Sequence, residues 1–139
     1  NPSGPAKLLV LGEDWCPDVY RGMPVIARIA EASGMEMRVF PRDANLDIMQ
    51  EFLKGGEFQS IPAFVFYTKD HRYLCHWIER PAQANKETRE IQDQVKEEMA
   101  NAPEQEVRAE TRKRINACFP TWQQLTVQEL RELLSPHLT

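Results

Sequence analysis

Apolar positions along this chain change rhythm several times, and each change marks an element. Residues 7–12 (Lys-Leu-Leu-Val-Leu-Gly) are apolar without alternation, as in a strand covered on both faces, which parallel sheets produce. From Pro17 to about Ser33 the spacing becomes helical, with Val19, Met23, Ile26 and Ile29/Ala30 on one side and Gly34 suited to the position past the helix end. Pro24 falls inside this pattern, removes an intrahelical hydrogen bond and predicts a kink. Residues 35–41 alternate and read as a second strand. Asn45 is the expected N-cap of a second helix carrying Leu46, Ile48/Met49, Phe52 and Leu53, stopped by Gly55-Gly56. Residues 62–67 form a third strand, 68–71 a turn, and 72–78 a fourth strand that closes a hairpin. The two-residue period of that last strand puts Tyr73 and Trp77 on the face of Cys75.

Beyond Pro81 the apolar stripes thin out. A helix over 84–100 carries Ile91, Val95 and Met99, and 101–103 breaks it. Another over 104–118 carries Val107, Thr111, Ile115 and Cys118, and Phe119-Pro120 is expected to end it. Thr126 followed by Glu129 has the form of a capping box opening a last helix with Leu130, Leu133 and Leu134. The order is β-α-β-α-β-β-α: an α/β three-layer fold with a four-stranded mixed sheet and a C-terminal helical extension. The first two strands are parallel because a helix crosses between them, and the last two antiparallel because their connection is short. The division is a domain over 1–103 and an extension over 104–139. Trp122, Leu125, Leu130, Leu133, Leu134 and Leu138 make the end of that extension the most apolar part after the core. It packs on its own domain or on a second copy, as a homodimer through the C-terminal helices.

Charge and cysteine usage narrow the function classes. The formal net charge of −4 argues against nucleic acid as the main partner, which needs clustered Lys and Arg. The short cluster Arg112-Lys113-Arg114 reads as a solvated face. No apolar run approaches a membrane span, and no signal-peptide pattern opens the sequence, although it begins at Asn1 rather than Met. Cys16, Cys75 and Cys118 are odd in number and widely spaced, so the expectation is a reducing compartment, the cytoplasm, rather than a disulfide framework. Cysteine and histidine never fall at zinc-ligand spacing, so no metal is expected. No other cofactor is called for.

The chemistry concentrates at Glu13-Asp14-Trp15-Cys16-Pro17-Asp18-Val19, between the first strand and the first helix. A cysteine there meets unpaired N–H groups and the positive end of a helix dipole, which lower a thiol pKa. Glu13, Asp14 and Asp18 oppose that, and Arg21 offsets part of it if it folds back. Cys75 reads as a buried structural thiol. Cys118 reaches Cys16 only if the extension folds over it.

Trp15-Cys16-Pro17-Asp18-Val19, Pro24 and Ser60-Ile61-Pro62 together resemble the thioredoxin superfamily over residues 7 to about 100. Its members carry Trp-Cys-x-x-Cys after a buried strand, a proline eight residues past the first cysteine, and Ile-Pro ahead of the third core strand. The resemblance implies a glutaredoxin-sized core with Cys16 as nucleophile and a cis Ile61–Pro62 bond facing it. Trp15, Pro17, Asp18, Ile61 and Pro62 would then form the substrate-binding rim, and the partners would be protein thiols or disulfides. Two departures bear on activity. Val19 stands in the place of the second, resolving cysteine, and Val10 where thioredoxins usually bury a carboxylate. The two-thiol cycle therefore lacks both of its helpers. Two functions follow: a monothiol exchange through Cys16, resolved by an external thiol such as glutathione, or a non-catalytic protein- or ligand-binding module on the same scaffold. Trp15 and Pro62 also have a plainer reading, as packing and turn-shaping residues.

Overall fold

The computed structural model of the chain describes residues 1–138. Four strands, β1 (Lys7–Gly12), β2 (Glu36–Pro41), β3 (Ala63–Tyr67) and β4 (Tyr73–Ile78), form one sheet in the order β2-β1-β3-β4. β1 and β2 are parallel, while β1–β3 and β3–β4 are antiparallel. The helices are α1 (Pro17–Ser33), the single turn α2 (Leu46–Met49), α3 (Ala82–Glu98) and α4 (Glu104–Leu134). The fold is the mixed α/β architecture that the element order implies, ending in one long helix.

Alternation along the strands sorts the core onto two faces of the sheet. Leu8, Val10, Phe64, Phe66, Cys75 and Trp77 pack with Ile26 and Ala30 of α1 and with Leu130 and Leu134 of α4. Leu11, Ala63 and Val65 face the other way, onto Val19, Met49, Phe52 and Ile61. β1 is therefore covered on both sides, which is why its sequence does not alternate. α1 runs through Pro24, which lies exposed on its outer side, and closes on Gly34 at φ 70°. That positive φ is a conformation glycine adopts without penalty.

The long helix departs most from the sequence expectation. α4 is continuous through Phe119-Pro120, and Thr126 does not cap anything. Thr126 is buried and its hydroxyl donates to the Trp122 carbonyl one turn back, while the Glu129 carboxylate serves a different helix. It accepts from Trp77 Nε1 at 2.9 Å and from the Ala82 N–H at 2.8 Å, so it closes the start of α3. Burial overrides the local break signal, since Trp122, Thr126, Leu130 and Leu134 lie four residues apart on one buried stripe. Packing of such a face outweighs the hydrogen bond that one proline forfeits. The apolar side chains singled out near the end of the extension are thus largely spent on the chain's own sheet.

Three smaller corrections have equally local causes. The second helix is one α turn followed by a 3₁₀ turn over Gln50–Phe52, after which Leu53 is extended. Asn45 occupies the N-cap position without a side-chain cap, because its amide donates to the Pro41 carbonyl instead. Tyr73 is not on the face of Cys75. A register shift pairs Phe66 with Cys75 and Tyr67 with Tyr73, so one step on β3 spans two on β4. Tyr73 thereby turns to the opposite face and stacks against Phe52.

Candidate functional site

Cys16 is the N-cap residue of α1. Its backbone is extended (φ −82°, ψ 123°), and its carbonyl accepts from the Val19 and Tyr20 N–H groups, starting the helix. Pro17 follows at N1, where a missing N–H loses nothing. The thiol is half-buried, and its Sγ lies 3.9 Å from the Ile61 carbonyl oxygen. The Ile61–Pro62 peptide bond is cis, and Pro62 is buried. Gly22 of α1 faces this proline. A Cβ on Gly22 would sit 3.5 Å from Pro62 and 3.6 Å from the Phe64 ring. The Pro62 carbonyl is held in turn by the Glu79 N–H at 2.7 Å, just past the end of β4.

Val19, three residues on, is buried among Leu11, Ile61 and Ala63, with Cys16 packed beside it. It is seated on Gly12, whose added Cβ would meet a Val19 methyl at 3.1 Å. A second thiol is thus replaced by close apolar packing. Val10 is fully buried in the opposite face of the sheet.

The remaining rim residues separate. Trp15 is 60% exposed, with the Arg42 guanidinium 5.4 Å from its ring centroid. Arg42 also donates to the Gln59 carbonyl and pairs with Asp43, whose N–H is bound by the Glu13 carboxylate at 2.9 Å. Glu13 is therefore directed at a backbone donor. Pro17, next to the thiol in the chain, is exposed as well. Asp18 turns the other way, to a half-buried cluster that sequence reading did not find. Its carboxylate lies 3.9 Å from Arg80. Arg80 also binds Glu79 and the Thr88 hydroxyl, and Lys54 reaches Glu79 at 2.7 Å.

These two carboxyls titrate in opposite directions. Burial pushes Asp18 up, by more than the nearby Arg80 and Arg21 charges pull it down. Burial also pushes Glu79 up, but hydrogen bonds from Lys54 and Arg80 together with their charges outweigh it and hold Glu79 below the usual carboxylate range. In sequence Lys54 only precedes the Gly55-Gly56 stop, and Glu79-Arg80 only follow the fourth strand. Their partnership is created by the sheet and carries no local signal.

Arg21 does not fold back on the thiol. It donates to the Asn116 side chain of α4 and lies over the Tyr20 ring. Cys75 is buried, and burial pushes its thiol up. Cys118 is half-buried on α4 with its thiol on the Arg114 carbonyl, and burial pushes it up as well. No disulfide joins the three cysteines. Among the described residues no three His, Cys, Asp or Glu side chains are grouped to hold a metal ion, and no helix is long and apolar enough to cross a membrane.

A family model described as thioredoxin matches residues 2–96. Among solved structures, the chain is similar to a crystallised HIV epitope-scaffold, with 24% identity over 57% of this chain and 48% of that one, at a TM-score of 0.50. It is also similar to a protein of unknown function from Pseudomonas aeruginosa, with 16% identity over 88% of this chain and 66% of that one, at a TM-score of 0.51. The chain thus spans about half the length of the first and 66% of the second. At such identities the likeness concerns the fold alone. No curated protein matches the sequence.

Proposed function

Because the chain belongs to the thioredoxin family, matched over residues 2–96, we propose that it works in thiol redox chemistry through Cys16 alone, with an external thiol completing each cycle. The observation that supports this reading is the placing of Cys16. Cys16 is the N-cap residue of α1, its thiol makes no hydrogen bond to the helix and lies against the Ile61 carbonyl beside cis Pro62, and it follows the exposed Trp15.

In this reading a substrate disulfide docks beside Ile61–Pro62, next to Trp15 and Pro17. The Cys16 thiolate attacks one sulfur, a Cys16–substrate disulfide forms, and the other sulfur leaves as a thiolate that takes a proton. A first external thiol displaces the substrate from Cys16. A second returns Cys16 to the thiol and departs as the external disulfide, so two external thiols are oxidised for each substrate disulfide reduced. Protein thiols or disulfides are the partners, and a reducing compartment such as the cytoplasm suits the cycle.

Glutathione-coupled reduction of a mixed disulfide tests this. The expected result is turnover that Cys16→Ser abolishes. Turnover unaffected by Cys16→Ser, or none at all, overturns it.

The buried packing of Val19 favours a second reading, a binding module that keeps the scaffold without the exchange. Val19→Cys separates the two. If only the second thiol is missing, the variant forms a disulfide with Cys16, lowers the count of alkylatable thiols by mass spectrometry, and gains reductase activity on a protein disulfide. A folded variant whose disulfide forms but which stays inert favours the binding module.

A further inference from the structure

The side of the Cys16 turn that faces away from Trp15 opens into a cleft of about 560 Å³. Its floor is Pro17, Asp18, Arg21 and Arg80, its α3 wall Thr88, Gln92 and Lys96, and its α4 wall runs from Glu104 to Ile115. The α4 wall belongs to the part of the helix that carries no buried residue, since those begin at Trp122. That half of α4 contributes nothing to the sheet core, yet it stands beside the thiol turn.

The cleft's charge is unlike that of the chain. Five cations line it (Arg21, Arg80, Lys96, Arg108 and Arg112) against two carboxylates, Asp18 and Glu104, in a chain of net charge −4. Arg80 is neutralised by Glu79 and Asp18, and Arg108 pairs with Glu104. Arg21 forms no salt bridge among the described residues and donates to an amide oxygen. Among the described residues, Lys96 and Arg112 have no carboxylate partner, and both are exposed. Three cations are thus left to face solvent across one concavity. Val107 and Ile115 add apolar surface between them. At a rise of about 1.5 Å per residue, the α4 wall is roughly 16 Å long. An extended peptide of about five residues, at some 3.3 Å each, matches that length.

We infer that this cleft binds an acidic segment of the partner protein next to the cysteine that Cys16 engages, and so selects substrates by charge. The role assigned to the segment's neighbour rests on the monothiol reading; the binding itself does not. Electrostatic complementarity of this kind acts chiefly through encounter rate and partner choice.

The test uses the full chain and two readouts. The first is fluorescence anisotropy of a cysteine-free Glu-rich hexapeptide with a neutral dye, which reads the cleft whatever Cys16 does. The expected result is binding at low salt that weakens with added salt, and that falls about tenfold or more in Lys96→Glu/Arg112→Glu. A Lys-rich peptide should not bind. Lack of binding, equal binding by the charge-reversed variant, or equal binding of a single-stranded oligonucleotide of the same charge overturns the inference. Lys96→Gln/Arg112→Gln, with a smaller loss, guards against misfolding of the reversed protein. The second readout is the rate at which Cys16 exchanges with an acidic and a basic peptide disulfide and with a small neutral disulfide. A neutral reagent that fails to react speaks against the monothiol reading. One that reacts at the same rate in both variants while the acidic peptide loses its advantage supports the cleft.

Discussion

Trp15 and Asp18 flank the same cysteine and are handled in opposite ways. Trp15 lies in solvent, held only by a cation face and short surface contacts. Asp18 enters a half-buried cluster with Arg80, Glu79 and Lys54, which ties α1 to the ends of β4 and α3. Trp15 is thus left to solvent, and Asp18 is drawn into the protein's own charge network. Charge used for structure is satisfied within the protein.

Substitutions can sharpen or break this contrast. The largest effect belongs to Glu79→Gln, which leaves Lys54 and Arg80 close together without their shared anion. A loss of about 2 kcal/mol is expected in denaturant unfolding at neutral pH, less than for a fully buried pair because Lys54 is partly exposed. The folded-state value of Glu79 is held down, so its contribution is present at neutral pH and lost as pH falls through that depressed value. Wild type and variant should therefore converge in acid. Asp18→Asn should have a smaller effect of opposite sign. The fold favours the neutral form of Asp18, so stability declines as pH rises through its raised value. At neutral pH the variant is expected to gain about 1 kcal/mol or less, since Arg80 partly offsets the burial. The gain should vanish in acid, where Asp18 is protonated anyway. A variant less stable than wild type at neutral pH would mean that Arg80 outweighs burial. Trp15→Ala should leave stability within about 0.5 kcal/mol, as for other exposed sites. It should slow exchange with a peptide disulfide while sparing a small one. Should Trp15→Ala destabilise the protein more than Glu79→Gln, the division between the two sides falls.

Much of this organisation was legible in the sequence. Strand order, crossover and hairpin follow from periodicity and connection length, and the motif residues lie where Trp15-Cys16, Pro24 and Ile61-Pro62 imply. What escaped was whatever depends on distant partners. Thr126 and Glu129 have the local spacing of a helix start. Yet the threonine is buried one turn above Trp122, and the glutamate binds Trp77 and the first N–H of α3. A bulge of one residue, invisible to a two-residue period, turns Tyr73 away from Cys75. Lys54, Glu79 and Arg80 meet only after β3 and β4 have paired.

The stripe of Leu130 and Leu134 also has a bearing on how the protein is made. These residues share a core cluster with Leu8 and Val10, from nearly the other end of the sequence. Translation proceeds from the amino terminus, and contacts between such remote positions are the slowest to close. Until residue 134 has emerged, the face of Phe64, Phe66 and Trp77 has α1 but not α4 packed on it, and α3 lacks the carboxylate that closes its first turn. The thiol turn can form early, from local contacts, but the domain behind it is sealed only at the end of synthesis of this segment. A chain interrupted before that point would carry a reactive-looking turn on an unfinished, aggregation-prone body.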